Sequence, residues 1–277
     1  MKNILVPTDF SDCARAAEDI GLEIAKKANA EIHFLHIINT PVDWVKISLE
    51  KESLYPETKE EIGLAKYELT ELVRRAEKTG LKVKQFLTFN KGRVEIDQHI
   101  KHHKHDFVVM GSHGTGGVRE ITGSNTQKVA RYSPSPVLVI KKKTSKFEVK
   151  NIVFASTFEE DVYQPFHKII EFADLMNAQI HLLYVNMPFQ FKETDEAEAN
   201  MQAFLEKCPR GNCTINIFDA LNEERGIQKF TETINADMIA LTTHGKTGFI
   251  KMISPSISES LINHSDIPIL SVNFNSQ

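Results

Sequence analysis

The sequence predicts an α/β protein made of two similar halves, each a parallel sheet covered by helices. Three observations indicate this fold. Short apolar segments alternate with segments whose apolar residues recur at helical spacing, as expected for parallel α/β architectures. The pattern begins again about halfway along the 277 residues, which indicates a tandem duplication. A glycine-rich segment also joins an apolar strand to a helix after residue 110, as in many α/β folds.

Composition excludes several classes of protein. A hydrophobic content of 41% and a charged content of 25% are ordinary for a globular protein. The formal charge of −4 gives no basic surplus for general nucleic-acid binding. No apolar run approaches the roughly 20 residues of a membrane span, and Met1-Lys2-Asn3 leads into a strand rather than a signal peptide. We therefore expect a cytoplasmic protein whose three cysteines are reduced thiols.

The first strand and helix are delimited by specific residues. Ile4 to Val6 is a buried strand, and Pro7 ends it because proline cannot donate to a sheet ladder. Ser11 is a good N-cap for the helix that follows. That helix closes at Asn29-Ala30, before a second strand at 32–38.

The remainder of the first half continues the alternation. Residues 39–56 lose the pattern, and we interpret them as either a mobile flap or an interface. A charged helix is predicted at 57–77 and is stopped by Gly80. Its buried stripe consists of Ile62, Ala65, Leu69 and Leu72. The remaining predicted elements are a strand at 83–89, a helix at 94–103, a strand at 107–110, a helix at 127–132 and a strand at 137–140.

The second half repeats the first. Residues 28–37 match residues 176–185 at an offset of 148, and residues 4–10 match residues 152–158 at the same offset. The basic run at 141–146 is polar enough to be a solvated linker. We place the first domain at residues 1–144 and the second at 145–277.

Three motifs of the first half resemble the universal stress protein family. They are Val6-Pro7-Thr8-Asp9-Phe10-Ser11, Met110-Gly111-Ser112-His113-Gly114, and Gly123-Ser124 followed by Ser-x-x-Pro before the last strand. The resemblance covers the whole chain as two copies. It implies a Rossmann-like fold of the adenine nucleotide alpha hydrolase type, with five parallel strands per copy. It also implies that the copies pair through their last strands as an intrachain pseudo-dimer.

The resemblance further implies ATP binding, with or without Mg²⁺, through Gly-x2-Gly-x9-Gly-Ser/Thr. Asp9, at the end of the first strand with Pro7 and Thr8, should touch the adenosine part. Ile37 should meet the adenine edge through its backbone. The residues expected near the ribose and phosphates are Met110, Gly111, Gly114, Gly123, Ser124, Asn125 and Thr126. Carboxylates suit hydroxyl and amino donors, whereas loop amides and hydroxyls suit phosphate oxygens.

Each half departs from the family motif. Only eight residues separate Gly114 from Gly123, so the loop of the first half is one position short. In the second half Thr242 replaces the first glycine, Pro255 the third and Thr157 the acidic residue. Because proline lacks an amide hydrogen, we expect the first half to be the binding copy and the second to carry a degenerate site.

Histidines form the other notable group. His99, His102, His103 and His105 crowd one helix end, and His99 with His103 could hold a metal at i, i+4 spacing. No further ligand is evident, so a solvated helix end is the favoured interpretation. His33 and His181 occupy equivalent strand positions, which indicates packing or a hydrogen bond of the fold. His113 and His244 recur in the glycine loop, where a loop-shaping hydrogen bond is favoured over catalysis.

Three functions compete. The first is a cytoplasmic ATP-binding stress or signalling module that passes a conformational change to a protein partner. The second is an enzyme, either a slow ATPase or a nucleotidyl transferase of the same broad fold. The third is an interaction scaffold built on the pseudo-dimer, alone or as a further homodimer. No P-loop, aspartate cluster or catalytic triad spacing is present in the sequence, so we assign no catalytic residue and expect at most weak hydrolysis.

Overall fold

The computed structural model describes residues 1–90, 96–112, 124–144, 146–158, 162–207, 210, 213–243 and 255–274, without the side chains of Asn90, Ser124, Asn125, Pro255 and Ser256. They form two compact units, Met1–Gly111 and Ser112–Gln277. Within these ranges no helix combines the length and the apolar character that crossing a bilayer would require.

In its described part, the first unit is a four-stranded parallel sheet with flanking helices. Its strands are β1 (Asn3–Pro7), β2 (Glu31–Asn39), β3 (Val83–Asn90) and β4 (Phe107–Gly111). Its helices are α1 (Asp12–Ala28), α2 (Leu49–Glu52), α3 (Pro56–Glu77) and α4 (Ile96–His103). The strand order is β3-β2-β1-β4, so the chain leaves β1 toward β2 on one side and later returns to place β4 on the other. The topological switch point of this sheet is therefore between β1 and β4.

Local sequence explains how α1 and α3 form. Ser11 accepts a hydrogen bond from the Ala14 amide and caps α1, while Asn29 ends it in the left-handed conformation, with φ of 51°. In α3 the predicted stripe is the buried one: Ile62, Ala65, Leu69 and Leu72 all face the core. Helix α1 packs against β1 and β4, and α3 packs against β2 and β3.

Among its described residues, the second unit contains six strands and five α-helices. Its strands are β5 (Val137–Ile140), β6 (Asn151–Ala155), β7 (Gln179–Asn186), β8 (Cys213–Asp219), β9 (Met238–Thr243) and β10 (Ile269–Asn273). Its helices are α5 (Ser124–Tyr132), α6 (Tyr163–Met176), α7 (Thr194–Lys207), α8 (Glu223–Thr233) and α9 (Pro255–His264). The five described strands of the second copy are parallel, as predicted, and their order in the sheet is β10-β9-β6-β7-β8.

The last strands of the two copies pair directly. β5 is the last strand of the first copy in chain order. It runs antiparallel to β10, with Leu138 opposite Leu270. Both strands are fully buried. The predicted pairing of copies through their last strands is therefore confirmed.

Equivalent turns confirm the duplication at atomic detail. Asp106 accepts hydrogen bonds from the Lys2 and Asn3 amides at the start of β1. Asp237 accepts the same pair of bonds from Lys150 and Asn151 at the start of β6. Each copy thus joins its first and fourth strands through one aspartate.

Two predicted segments need refinement. Helix α5 begins at Ser124, three residues before the predicted start at Gln127. The 39–56 segment contains the short helix α2, and Trp44 packs against a small cluster of Ile38, Ile62 and Ala65. That this segment serves as a flap or as an interface stays a prediction.

Candidate functional site

The turn after β1 is held rigidly and presents an exposed carboxylate. Thr8 donates its backbone N–H to Leu35 of β2, which extends the ladder by one bond beyond Pro7. The Thr8 hydroxyl then accepts from the Phe10 amide, and Asp9 Oδ1 accepts from the Ser11 amide. Phe10 adopts a positive φ of 62°, a conformation that few non-glycine residues take. These bonds fix the direction in which the exposed Asp9 side chain leaves the sheet.

A buried polar network supports this turn from below. The Thr8 hydroxyl donates to Glu18 Oε1 at 2.6 Å, and Glu18 Oε2 is 2.9 Å from Arg75 of α3. Arg75 also pairs with Asp19 at 3.0 Å. Burial raises the pKa of the Glu18 carboxyl above its ordinary value, against the opposing effects of the Thr8 hydrogen bond and the Arg75 charge. The network links β1, α1 and α3 behind Asp9.

β2 offers backbone hydrogen-bonding groups at the same edge. Ile32 donates to Lys82 on the β3 side, whereas Leu35 accepts from Thr8 on the β1 side. Alternate residues of a strand direct their backbone groups to opposite sides, so Ile37 directs its N–H and C=O to the β1 side. Because the β1 ladder ends at Pro7 opposite Leu35, Ile37 lies beyond the end of β1. Its backbone can therefore pair with the edge of a planar ligand.

His36 secures the position of this strand end. Its Nδ1 donates to the Thr8 carbonyl at 2.7 Å, and its ring lies 4.6 Å from the ring of Phe10. The side chain thus ties the end of β2 to the turn that carries Asp9.

Gly111 allows the end of β4 to approach α1 closely. A Cβ added there would lie 2.4 Å from the Cys13 carbonyl oxygen and 2.9 Å from the Ala14 nitrogen. A side chain at residue 111 would overlap these backbone atoms. Glycine is therefore required by the close approach of α1, and not by the φ angle of residue 111. Met110, the preceding residue, is buried. β1 and β4 are parallel neighbours, so Gly111 and Asp9 flank the switch point of the sheet at its carboxyl edge.

The predicted phosphate residues are only partly described. Ser124, Asn125 and Thr126 form the first turn of α5, and the Thr126 side chain is buried. The first amides of a helix lack intrahelical acceptors and face its positive end, so this turn can bind an anion. Gly114 and Gly123, together with His113, lie outside the described residues.

The second copy has the same turn after its first strand, but it lacks the two carboxylates that Asp9 and Glu18 supply in the first copy. Phe158 has φ of 58°, and its amide donates to Ser156, as Phe10 does to Thr8. Thr157 stands in the place of Asp9, and Phe166 in the place of Glu18. Phe166 stacks on Phe154 with ring centroids 5.0 Å apart. An aromatic core thus replaces the buried ionic network of the first copy.

The structure describes two of the positions at which the second copy departs from the glycine motif of the family. Thr242, at the equivalent of Gly111, is buried within β9. Pro255 is the first residue of α9, where a missing N–H costs no helical hydrogen bond but leaves one donor fewer for an anion.

The sequence analysis missed Glu18, Arg75 and His36. Glu18 carried a detectable signal, because its position on α1 falls among the buried residues Ala14, Ala17 and Gly21. A carboxylate on a buried helix face is rare unless it is paired. Arg75 and His36 carried no comparable signal, since their partners come from distant parts of the chain.

The histidines do not form a solvated helix end, so that interpretation was wrong for His99 and His105, which are buried. His33 Nε2 lies 2.9 Å from Glu31 and Nδ1 lies 2.7 Å from His105 Nε2. The expected strand hydrogen bond of His33 is thus present. Within the described ranges no group of three or more histidine, cysteine, aspartate or glutamate side chains is arranged to hold a metal ion.

Burial controls the charge of these histidines. It lowers the pKa of His99 to about 4 and that of His105 to about 3, and the neighbouring histidines add to the effect. Burial also lowers the pKa of His33, against the opposing Glu31 carboxylate. We refer to His33, His99, His103 and His105 as the histidine cluster, which packs around Phe86 of β3.

Comparison with known proteins identifies relatives for both halves. A family model described as the universal stress protein family matches residues 1–141 and again residues 148–273. Universal stress protein MJ0577 of Methanocaldococcus jannaschii is 31% identical over 157 residues, covering 52% of this chain and 97% of that protein. A universal stress protein from Archaeoglobus fulgidus superposes with a TM-score of 0.73 at 20% identity, covering 98% of each chain. An Arabidopsis thaliana member with AMP bound is 20% identical over 52% of this chain, with a TM-score of 0.37.

Proposed function

The chain belongs to the universal stress protein family, and we propose that it is an adenine-nucleotide-binding module whose single site is built by its first copy. The ligand is ATP, with or without Mg²⁺, and the output is a conformational change passed to a protein partner in stress response or signalling. The cytoplasm as its compartment and the domain division at residues 144 and 145 remain predictions.

The observation that carries this proposal is the placement of Asp9 and Gly111 on either side of the β1/β4 switch point. In open parallel sheets, ligands bind outside the carboxyl ends of the strands at such a point. Asp9 supplies a charged acceptor for ribose hydroxyls or the adenine amino group. Ile37 supplies a backbone donor and acceptor beyond the end of β1.

The first turn of α5 supports the phosphate part of the assignment. The family resemblance implies that Ser124, Asn125 and Thr126 hold phosphates, and a helix N-terminus suits that role. The second copy supplies neither the carboxylate of Asp9 nor a glycine at residue 242. We therefore assign it the role of a structural partner with a degenerate site.

A melting experiment separates nucleotide binding from a scaffold role. Purified full-length protein is heated with increasing ATP, with GTP as the comparison nucleotide. At 100 times Kd the ligand should add about 2.7 kcal/mol to stability and raise Tm. Asp9→Ala should remove most of this shift, whereas Thr157→Ala, at the equivalent turn of the second copy, should leave it intact. Unchanged Tm at millimolar ATP with Mg²⁺ would favour the scaffold function instead.

Hydrolysis is tested separately with the same proteins. Single-turnover measurement of phosphate release from ATP should show a rate no faster than slow background hydrolysis. A rate well above that background would instead make the protein an enzyme.

A further inference from the structure

The loop that follows β7 presents exposed aromatic side chains on a backbone held by hydrogen bonds. Phe189 is 99% exposed and Phe191 is 67% exposed. A single 3-10 helical turn at Pro188–Gln190 carries the first of them. The Tyr184 hydroxyl donates to the Gln190 carbonyl at 3.3 Å, which ties this turn back to β7.

Asn186, the buried last residue of β7, holds the rest of this loop and the turn that follows β8. Its Oδ1 accepts from the Lys192 amide at 3.0 Å, and its Nδ2 donates to the Lys192 carbonyl at 3.3 Å. Its own carbonyl accepts from the Ala220 amide at 3.0 Å. Phe191 precedes Lys192, and Leu221, which is 69% exposed, follows Ala220. One asparagine thus places both apolar side chains on neighbouring turns.

We refer to Phe189, Phe191 and Leu221 as the apolar patch. Side chains that are this exposed add little to the stability of the fold, because they remain in water. The first copy has Pro41 and Asp43 at the positions equivalent to the two phenylalanines, 148 residues earlier. The fold therefore does not require aromatic residues here, and neighbouring exposed apolar side chains commonly mark an interaction surface.

The apolar patch lies in negatively charged surroundings. Asn186 Nδ2 also donates to the exposed Asp219 at 3.1 Å, so this carboxylate lies beside the same asparagine. Lys192 is the one basic residue in the sequence from 186 to 198. Exposed carboxylates follow it directly in the chain: Glu193, Asp195 and Glu196.

We infer that the apolar patch docks a partner protein that has an apolar recess bordered by lysine or arginine side chains. A side chain as exposed as Phe189 is buried only by entering a recess of another molecule, and aromatic side chains are frequent anchors of interfaces. The carboxylates favour a basic partner by charge complementarity. They disfavour nucleic acid and anionic membrane surfaces, and in a symmetric dimer formed through this patch they would face one another.

Photocross-linking tests what the apolar patch contacts. p-Benzoylphenylalanine replaces Phe189 in the full-length protein, which is irradiated in the cells that naturally produce it, and the cross-linked peptides are identified by mass spectrometry. We expect cross-links to one protein, at an apolar segment with lysine or arginine neighbours. Absence of a cross-linked protein, or cross-links to a second copy of this chain, to lipid or to nucleic acid, would overturn the inference.

Binding of the purified cross-linking partner to full-length variants is then measured by isothermal titration calorimetry without nucleotide. Phe189→Ala should weaken binding about tenfold or more, as expected for an anchor residue, and should leave Tm unchanged because the side chain is exposed. Raising the salt concentration from about 50 to about 500 mM should weaken wild-type binding about three- to tenfold. Unchanged affinity of Phe189→Ala, or an affinity that does not respond to salt, would overturn the inference.

Tyr67→Ala is the matched control. Tyr67 is an aromatic residue of α3 that is 63% exposed, and its removal should leave the affinity unchanged. If Tyr67→Ala weakens binding as much as Phe189→Ala does, the loss is not specific to the apolar patch and the inference fails. Because no nucleotide is present, a negative result would leave the proposed function standing.

Discussion

Thr8 donates its hydroxyl hydrogen to the carboxylate of Glu18 across 2.6 Å, and both side chains are buried directly behind the turn that presents Asp9. Thr8 also accepts from Phe10, so one hydroxyl connects the core to the turn. This relationship makes Glu18 the internal support of the candidate site.

Removal of the Glu18 carboxylate should destabilise the fold. Glu18→Ala leaves the Thr8 hydroxyl without its acceptor and Arg75 without one partner, and we expect the free energy of unfolding to fall by about 2–3 kcal/mol. Glu18→Gln keeps one acceptor and should cost about 1 kcal/mol. Urea denaturation measures both. Glu23→Ala, on the exposed face of the same helix, is the control and should change stability by less than about 0.5 kcal/mol.

Gly111→Ala should be strongly unfavourable because its Cβ would collide with backbone atoms of Cys13 and Ala14. We expect a loss of about 2 kcal/mol or more, together with weakened nucleotide binding, since β4 must move away from α1. Gly63→Ala tests the opposite case on α3, where an added Cβ meets nothing within 4 Å. That change should stabilise the protein by about 0.5–1 kcal/mol. Equal effects of the two substitutions in thermal unfolding would refute this account of Gly111.

The histidine cluster should make the protein sensitive to mild acid. Folding lowers the pKa of His99 to about 4 and that of His105 to about 3, from an ordinary value of 6.5. Below pH 6.5, His99 and His105 therefore bind protons in the unfolded chain at pH values where they stay neutral in the folded chain. The stability from these neutral side chains is fully present above pH 6.5 and is lost as pH falls toward 4 and then 3.

His99→Leu isolates this contribution. Between pH 7 and pH 5 the wild type should lose about 1–2 kcal/mol more than the variant, measured by urea denaturation at each pH. His102→Ala changes an exposed histidine of the same helix and should keep the wild-type slope. If His99→Leu shows the same loss as the wild type, burial does not control the charge of His99.

The sequence predicted most of the architecture because the relevant signals are local. The stripe of Ile62, Ala65, Leu69 and Leu72 follows from helical spacing, and Ser11 and Asn29 mark the ends of α1 by their capping chemistry. The tandem duplication could be predicted from the sequence because both copies have the same order of apolar strands. These features need no knowledge of distant contacts.

The errors concern contacts between distant residues. His99 and His105 were assigned to a solvated helix end because histidine is favourable near a helix C-terminus, but β2 and β3 bring His33 and Phe86 against them. Support of Asp9 by Glu18 and Arg75 was missed for the same reason, since Arg75 lies 57 residues from Glu18. α5 starts three residues earlier than predicted, because Ser124 to Thr126 were assigned to the glycine-rich segment before the helix.

The stoichiometry of ATP binding tests the central claim most directly. In equilibrium dialysis at saturating ATP, the full-length protein should bind about one nucleotide per chain, Thr157→Ala should bind the same amount, and Asp9→Ala should bind little. Two nucleotides per chain, or binding that survives Asp9→Ala but is lost in Thr157→Ala, would contradict a single site built by the first copy.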